Sequence, residues 1–456
     1  MRSGDAARIR GHGLSVCIVA YKDLSLNTRV ARQASALAAA GHHVTIIGFG
    51  PPASPPDGAA GPAVIATGIP AYPKMLMTLL DIGRHALPVP RGAGLRLSAA
   101  AVVKTHRSRS GGFARMVGRR LAGRAFDVVQ AHDERALIAA AAISRRCGGN
   151  LVFDAVELPF DSEKLPNWPV ARAVRLAEID CETALARGAA GWITINDSIA
   201  DDIANRHGVP RPLVLRNCTL AGDWPSDGRL RRDLGLPAQA RLLLHLNTLR
   251  PGEGIETTID ALTRLPSDIH FAALGPEGEK GFVERMRRHA AARGVAERFH
   301  LPPLQPVDKI AAYAAGADVG VIARQGISRN NRLSLPNRLF QLISARLPVA
   351  ATPLLEIARI VGEWRLGHLF DEGDPEALAA AVRAMLTPMA YAGFRGAAAT
   401  AATALVWERE SVPYVRLIEN AAIGAPIETA RSARPTAPGM VAPRHFSMSR
   451  SRDAAC

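Results

Sequence analysis

Short runs of consecutive apolar residues, each closed by a polar or Gly/Pro turn, alternate along the chain with longer stretches whose apolar positions stand three and four apart. Runs of the first kind read as strands buried on both faces, and stretches of the second kind as helices that cover them. Regular alternation of the two predicts parallel β-α-β units. SVCIVAY (15–21) is the first strand; the turn KDLSLNT, the helix RVARQASALAAAG ending at Gly41, and the strand HHVTIIGF follow it. The series goes on through DVVQAH (127–132), an Ala-rich helix over 135–146, NLVFDA (150–155), a helix near 168–187 and GWITIN (191–196). Asp197 or Ser198 is placed to cap the next helix, IADDIANRHG, and Gly208 to close it.

A stretch marked by Pro and Gly, 217–240, separates this series from a second one. There the pattern predicts a strand RLLLHLN (241–247), a helix from Ile255 to about Leu265, and a strand IHFAALG (269–275). It continues with a charged helix over 277–293, RFHLPPL, a helix over 306–316, DVGVIA (318–323) and PVAAT (348–352). The fold class is therefore α/β, with two doubly wound parallel-sheet domains, bounded at 13–217 and 241–400 and joined by a linker over 218–240. Helices follow to about 421, and 401–421 is expected to pack back on the first half; the Pro/Ser/Arg-rich tail 422–456 has no periodicity and reads as disordered. Ligands of such sheets sit at the carboxyl ends of the strands, which points to Lys22–Arg29, His132–Glu134, Asp154–Glu157, Asn247–Gly254, Gly275–Glu277 and 326–338.

The chain has 456 residues, too long for one ordinary core, and a formal net charge of +15. That charge is local. Eleven Lys and Arg residues lie between 70 and 125 against one acid, Asp81, and the basic extension 1–12 and the tail supply the rest. Interleaved with KMLMTLLDIG and GLRLSAAAVV, the basic segment suits an anionic membrane surface; without aromatic platforms or a reader motif, nucleic acid is not expected. With no run of 18 apolar residues and no cleavage site after the first strand, the expected location is cytoplasmic, with peripheral contact to the inner membrane face. Five scattered cysteines without CxxC argue against structural zinc or a disulfide framework.

Three stretches invite chemistry, and each also has an ordinary structural reading. LNTLRPGEGIETTIDAL is a strand, a Gly/Pro turn and a helix start whose free N–H groups, with Arg250, suit a phosphate; a tight turn without ligand fits equally. It contains neither GxGxxG nor a P-loop. In NNRLSLPNRLFQLISARLPVA (330–350), Ser334 is placed as a cap, Pro336 suits the first helical turn, and Leu339, Leu342 and Ile343 form a core face. Asn330, Asn331, Asn337, Arg338 and Gln341 are left unexplained by that core face, and the last three are placed for a cleft or for water. His132, at a strand end, is either a recognition group or a satisfied structural histidine.

Taken together, NTRVARQASALAAAGHHVTII, FDVVQAHD, LVFDAVELPF, ITINDSIADDI, GIETTIDAL, HFAALGPEG, LPNRLFQLISARLPVAAT and LFDEGDPEALAAAV, in that order, resemble the GT-B glycosyltransferases, in particular retaining glycosyltransferase family 4. The resemblance spans about 14–418. It implies transfer of a sugar from a nucleotide diphosphate sugar, a co-substrate, to a glycan or lipid-linked acceptor in cell-surface polysaccharide or glycolipid assembly, with no cofactor and no metal in the site. Carried over by position, it implies His132 at the reaction centre, and Asn247, Thr248, Arg250, Gly254, Gly275, Asn337, Arg338 and Gln341 around the donor. Asn27, Arg29, Asp133 and Glu157 are then expected at the acceptor. The chain departs from the family pattern where chemistry is carried: Glu253 stands for a base at the diphosphate, Leu333 and Gln341 for two glutamates, and Val156 for a histidine. Those departures motivate the alternative, a catalytically inactive GT-B scaffold that binds a glycan, a lipid-linked sugar or a partner enzyme.

Overall fold

The computed structural model describes residues 13–24, 27–50, 65–69, 113–114, 116–117, 121, 123–159 and 169–425. Most of the basic segment 70–125, the extension 1–12 and the tail beyond 425 lie outside the described residues.

The first half carries β1 (Ser15–Asp23), α1 (Thr28–Ala39), β2 (His43–Phe49), β3 (Ile65–Ile69), β4 (Val128–His132), α2 (Leu137–Cys147), β5 (Asn150–Val156), α3 (Pro169–Arg187), β6 (Gly191–Thr194), α4 (Asp197–His207) and β7 (Leu213–Val214). Its seven strands are all parallel in the order β3-β2-β1-β4-β5-β6-β7. After α5 (Arg229–Asp233), the second half follows with β8 (Arg241–Leu246), α6 (Ile255–Leu262), β9 (Ile269–Leu274), α7 (Phe282–Ala292), β10 (Phe299–His300), α8 (Ile310–Ala314), β11 (Val319–Ile322), α9 (Arg329–Leu333), α10 (Asn337–Ser344) and β12 (Val349–Ala351). These five strands are parallel in the order β10-β9-β8-β11-β12. Helices α11 (Leu355–Glu363), α12 (Pro375–Met385), α13 (Pro388–Ala404) and α14 (Trp407–Ala422) complete the chain.

Period-two alternation sorts the first sheet's side chains between two cores. Val16, Ile18, Val128, Val152 and Ile193 share one with Val30, Ala34 and Leu37 of α1 and with Trp407, Tyr414, Leu417, Ile418 and Ala421 of α14. Cys17, Val19, Val129, Ala131 and Phe153 face the other, under α2 and α4. The last helix thus belongs, by packing, to the first sheet. Among the described residues no single helix is long and apolar enough to cross a membrane.

Local details differ from the sequence reading. Helix α4 is capped by Asn196, not by Asp197 or Ser198: its backbone is extended (φ −158°) and its side chain accepts from Ile199 N, while Gly208 closes the helix at φ 63° as expected. The polar turn expected before α10 is itself a helix, α9, capped by Ser328, whose Oγ accepts from Asn331 N. Ser334 does not cap α10, which begins only after Pro336; it ends α9 instead, its N–H donating to Asn330 O (2.8 Å).

Each sheet reverses its strand order once, between β1 and β4 and between β8 and β11. Crevices open at the carboxyl ends of strands at such reversals. His132 closes β4 at the first, and the turns after β8 and β11 meet at the second.

Candidate functional site

At the first reversal, three buried groups are tied together. Asp154 accepts from Arg29 Nε (2.8 Å) and Nη2 (3.0 Å), from Gln33 Nε2 (2.7 Å) and from Val156 N (3.3 Å). Burial by itself would raise the Asp154 carboxyl, but the Arg29 charge and the His132 contact hold it well below the usual range. His132 lies between two partners. Asn27 Oδ1 accepts from Val30 N (3.2 Å), so the amide nitrogen of Asn27 is the end that meets His132 Nε2 at 3.0 Å. Nε2 is then the acceptor, and Nδ1 stands 3.4 Å from Asp154 Oδ2, without a hydrogen bond of its own. Asp133 (φ 68°) and Val156 (φ 59°) flank this group in backbone conformations that side chains with a Cβ rarely adopt, at a cost of ~1–3 kcal/mol each. The ladder contact from Asp133 N to Asp154 O (2.9 Å) helps to hold them.

At the second reversal, the turn after β8 leads into α6 through Gly254, a φ 75° residue whose added Cβ would stand 2.1 Å from Ala323 O. Gly275 is pressed likewise, 1.7 Å from Asn247 O. Only glycine allows these backbones to meet, so both residues shape the turns and present no side chain. No side chain caps α6, which leaves its first N–H groups directed at the crevice. Beside it Glu253, 2% exposed, is ion-paired with Arg338, 3% exposed, and its other oxygen meets Arg250 Nη2 at 3.2 Å. Burial would raise the Glu253 carboxyl, but Arg338 draws it down to about 2. Arg338 Nε and Nη1 and Arg324 Nε, all buried, have no hydrogen-bond partner. Beneath them His245, fully buried in β8, is pushed down to about 3 by burial and then by Arg338, so it is neutral.

Polar contacts bring the two ends together. Asn217 Nδ2 donates to Asn337 Oδ1 (2.8 Å), Asn330 Nδ2 to Glu157 Oε2 (2.7 Å), and Asn196 Nδ2 to Leu333 O (2.8 Å). Arg29 Nη1 donates to Asn217 Oδ1 (2.8 Å), so hydrogen bonds run from Asp154, which His132 Nδ1 approaches to 3.4 Å, through Arg29 and Asn217 to Asn337, one residue from Arg338. Further out, Arg329 pairs with Asp202, and Glu356 accepts from Ser198.

The expected site residues thus fall into unequal groups. Asn27 and Asp133 stand beside His132, and Asp133 pairs with Lys22 (3.1 Å). Arg29, expected among acceptor contacts, is instead a core residue: it is 4% exposed and its donors go to Asp154, Leu215 O and Asn217. Glu157 and Asn337 are engaged across the cleft. Arg250 and Arg338 converge on Glu253; Asn247 and Thr248 line the same turn, and Gln341 is half-buried on α10. Asn217, Gln33 and His245 escaped the sequence reading. Gln130, which donates to Gln33 Oε1 (3.1 Å), and His245 were detectable as polar residues inside otherwise apolar parallel strands.

The description Glycosyl transferase 4-like domain matches residues 26–218, and Glycosyl transferases group 1 matches 240–388. The chain is a GT-B glycosyltransferase of the family 4 type. A D-inositol 3-phosphate glycosyltransferase of Xylanimonas cellulosilytica is 27% identical over 195 residues, 41% of this chain and 44% of that protein. The chain therefore spans less than half the length of the curated relative it matches. Among solved structures, sucrose-phosphate synthase from Thermosynechococcus elongatus has the same fold at a TM-score of 0.66 and 16% identity, over 89% of this chain and 98% of that one. Anabaena HepE in complex with UDP follows at 0.64 and 14%, over 89% and 100%. In this GT-B chain the two family models meet at the linker, and the crevice described above lies between the halves they match.

Proposed function

We propose that this GT-B chain transfers a sugar from a nucleotide diphosphate sugar to a glycan or lipid-linked acceptor, in assembly of a cell-surface polysaccharide or glycolipid. One observation carries the reading: a cationic cluster, buried Arg338 and Arg324 with half-exposed Arg250, with donors of the first two unspent beside an uncapped helix start, and a histidine held by Asn27 in the other half. Loss of a nucleoside diphosphate from a sugar leaves negative charge on the phosphates and an electron-poor anomeric carbon. Preorganised guanidinium and backbone N–H donors stabilise the first in a site that the closed halves keep dry. His132, held by Asn27 and Asp154, stands at the reaction centre, and the reaction runs with retention and without a metal or cofactor. Asn27, Asp133 and Glu157 meet the acceptor. The basic composition of 70–125 favours a cytoplasmic enzyme resting on an anionic membrane; loss of sedimentation with phosphatidylglycerol vesicles at high salt is expected, and salt-independent behaviour refutes the contact.

Titration calorimetry of the full chain against nucleoside diphosphates and their sugars tests the donor. Binding of at least one is expected, and its complete absence refutes the reading. With a donor in hand, His132→Ala is expected to lower kcat/KM by ~100-fold or more while leaving nucleotide affinity within about twofold. The pairing of Arg338 with Glu253, together with Leu333 and Gln341, favours one second reading, an inactive scaffold that holds a glycan or partner. Glycan binding without any nucleotide affinity would select it.

A further inference from the structure

Glu253 is an unusual neighbour for a phosphate. It sits just before the α6 helix start, fully inside the protein, among three guanidinium groups, and its Oε2 is paired with one terminal nitrogen of Arg338, Nη2. A carboxylate and a phosphate present similar oxygens to a guanidinium, and one Arg nitrogen cannot serve both fully. Glu253 also has a second partner closer to water: Arg250, whose side chain is half exposed, reaches Oε1 with both Nε (3.3 Å) and Nη2 (3.2 Å). Meanwhile Arg338 Nε and Nη1 and Arg324 Nε donate to nothing in the protein, although all are buried. Buried donors left unspent around an internal anion indicate that the anion fills only part of what the site can bind.

We propose that Glu253 is a built-in competitor for the phosphate subsite: its carboxylate neutralises Arg338 in the empty protein and moves onto Arg250 when a diphosphate takes its place. The proposal rests on the donor reading above and specifies its affinity. A phosphate contact made by Arg338 Nη2 is gained at the loss of the ion pair already present, and a phosphate at its unspent Nε and Nη1 still meets the neighbouring Glu253 charge, so diphosphate affinity is held below what the arginines alone would give. The consequence is ready release of the nucleoside diphosphate after transfer.

Titration calorimetry with inorganic pyrophosphate, and with uridine, guanosine and adenosine diphosphates, on the full chain and on Glu253→Gln tests this. The variant is expected to bind pyrophosphate and the preferred nucleotide at least tenfold more tightly, and to gain more in Tm on adding pyrophosphate than the wild type does. Glu253→Asp, which keeps the charge but withdraws it by one methylene, is expected to bind severalfold more tightly, and it decides the matter if Glu253→Gln does not fold. Equal affinity in wild type and variants overturns the proposal while leaving the donor reading intact. Weaker binding in the variants overturns it too, because Glu253 would then be a direct contact of the nucleotide. Binding of no phosphate by any form refutes the donor reading and this proposal with it.

Discussion

Asp154 and Glu253 are both buried carboxylates paired with a buried arginine at a strand-order reversal, one in each sheet. The Asp154–Arg29 pair is itself fully bonded: Arg29 grips both oxygens, Gln33 and Val156 N add donors, and Arg29's other side is taken by Leu215 O and Asn217, while the neighbouring His132 Nδ1 stands 3.4 Å from Asp154 without a hydrogen bond of its own. Around Glu253 it is incomplete, with donors of Arg338 and Arg324 unspent. A saturated ionic network fixes geometry and has no capacity for a ligand; an unsaturated one retains it. On the function proposed above, the first half is the frame for His132 and the second the anion site.

The largest effect is expected from breaking the saturated side. Arg29→Ala leaves Asp154 charged and buried, and should cost about 3–5 kcal/mol in urea denaturation, with no recovery on adding pyrophosphate. Glu253→Gln should cost less, up to about 3 kcal/mol, because Arg250 is half exposed and water reaches its side of the cluster; here pyrophosphate should restore stability. The pH dependence has a definite sign. The Glu253 carboxyl is held at about 2 against 4.5 ordinarily, so its contribution is complete above about pH 4.5 and is lost as pH falls toward 2. Denaturation midpoints across that window should fall more steeply for the wild type than for Glu253→Gln. The smallest effect tests the bridge between the two sides: Asn217→Ala and Asn337→Ala should each cost about 1 kcal/mol, and the double variant little more than either alone. Full additivity would mean the two amides act independently.

The layered fold was legible in the sequence because a strand buried on both faces is written as a continuous apolar run; of the twelve strands among the described residues, β3 (IATGI) and the two-residue β7 carry no long run of that kind and were not read. The site was legible where it depends on local chain geometry: the Gly254 and Gly275 turns and the strand end at His132. Partnerships were not. Arg29 and Asp154 lie 125 residues apart, and no local pattern distinguishes an arginine that will be enclosed from one that will face a ligand. Glu253 looked like a missing base because its partner is on another helix; only the fold reveals that the charge was relocated into a pair with Arg338.

Helix α14 closes the core of a sheet whose first strand begins some four hundred residues earlier, and Trp407 N is anchored to Thr219 O beside the linker. During synthesis the Val16, Ile18, Val128 and Val152 face of that sheet has no cover from α14 until residue 422 has left the ribosome. The second sheet, continuous in sequence from Arg241 to Ala351, is under no such delay. The sheet that carries His132 is therefore sealed after the second sheet is complete, although it is translated before it.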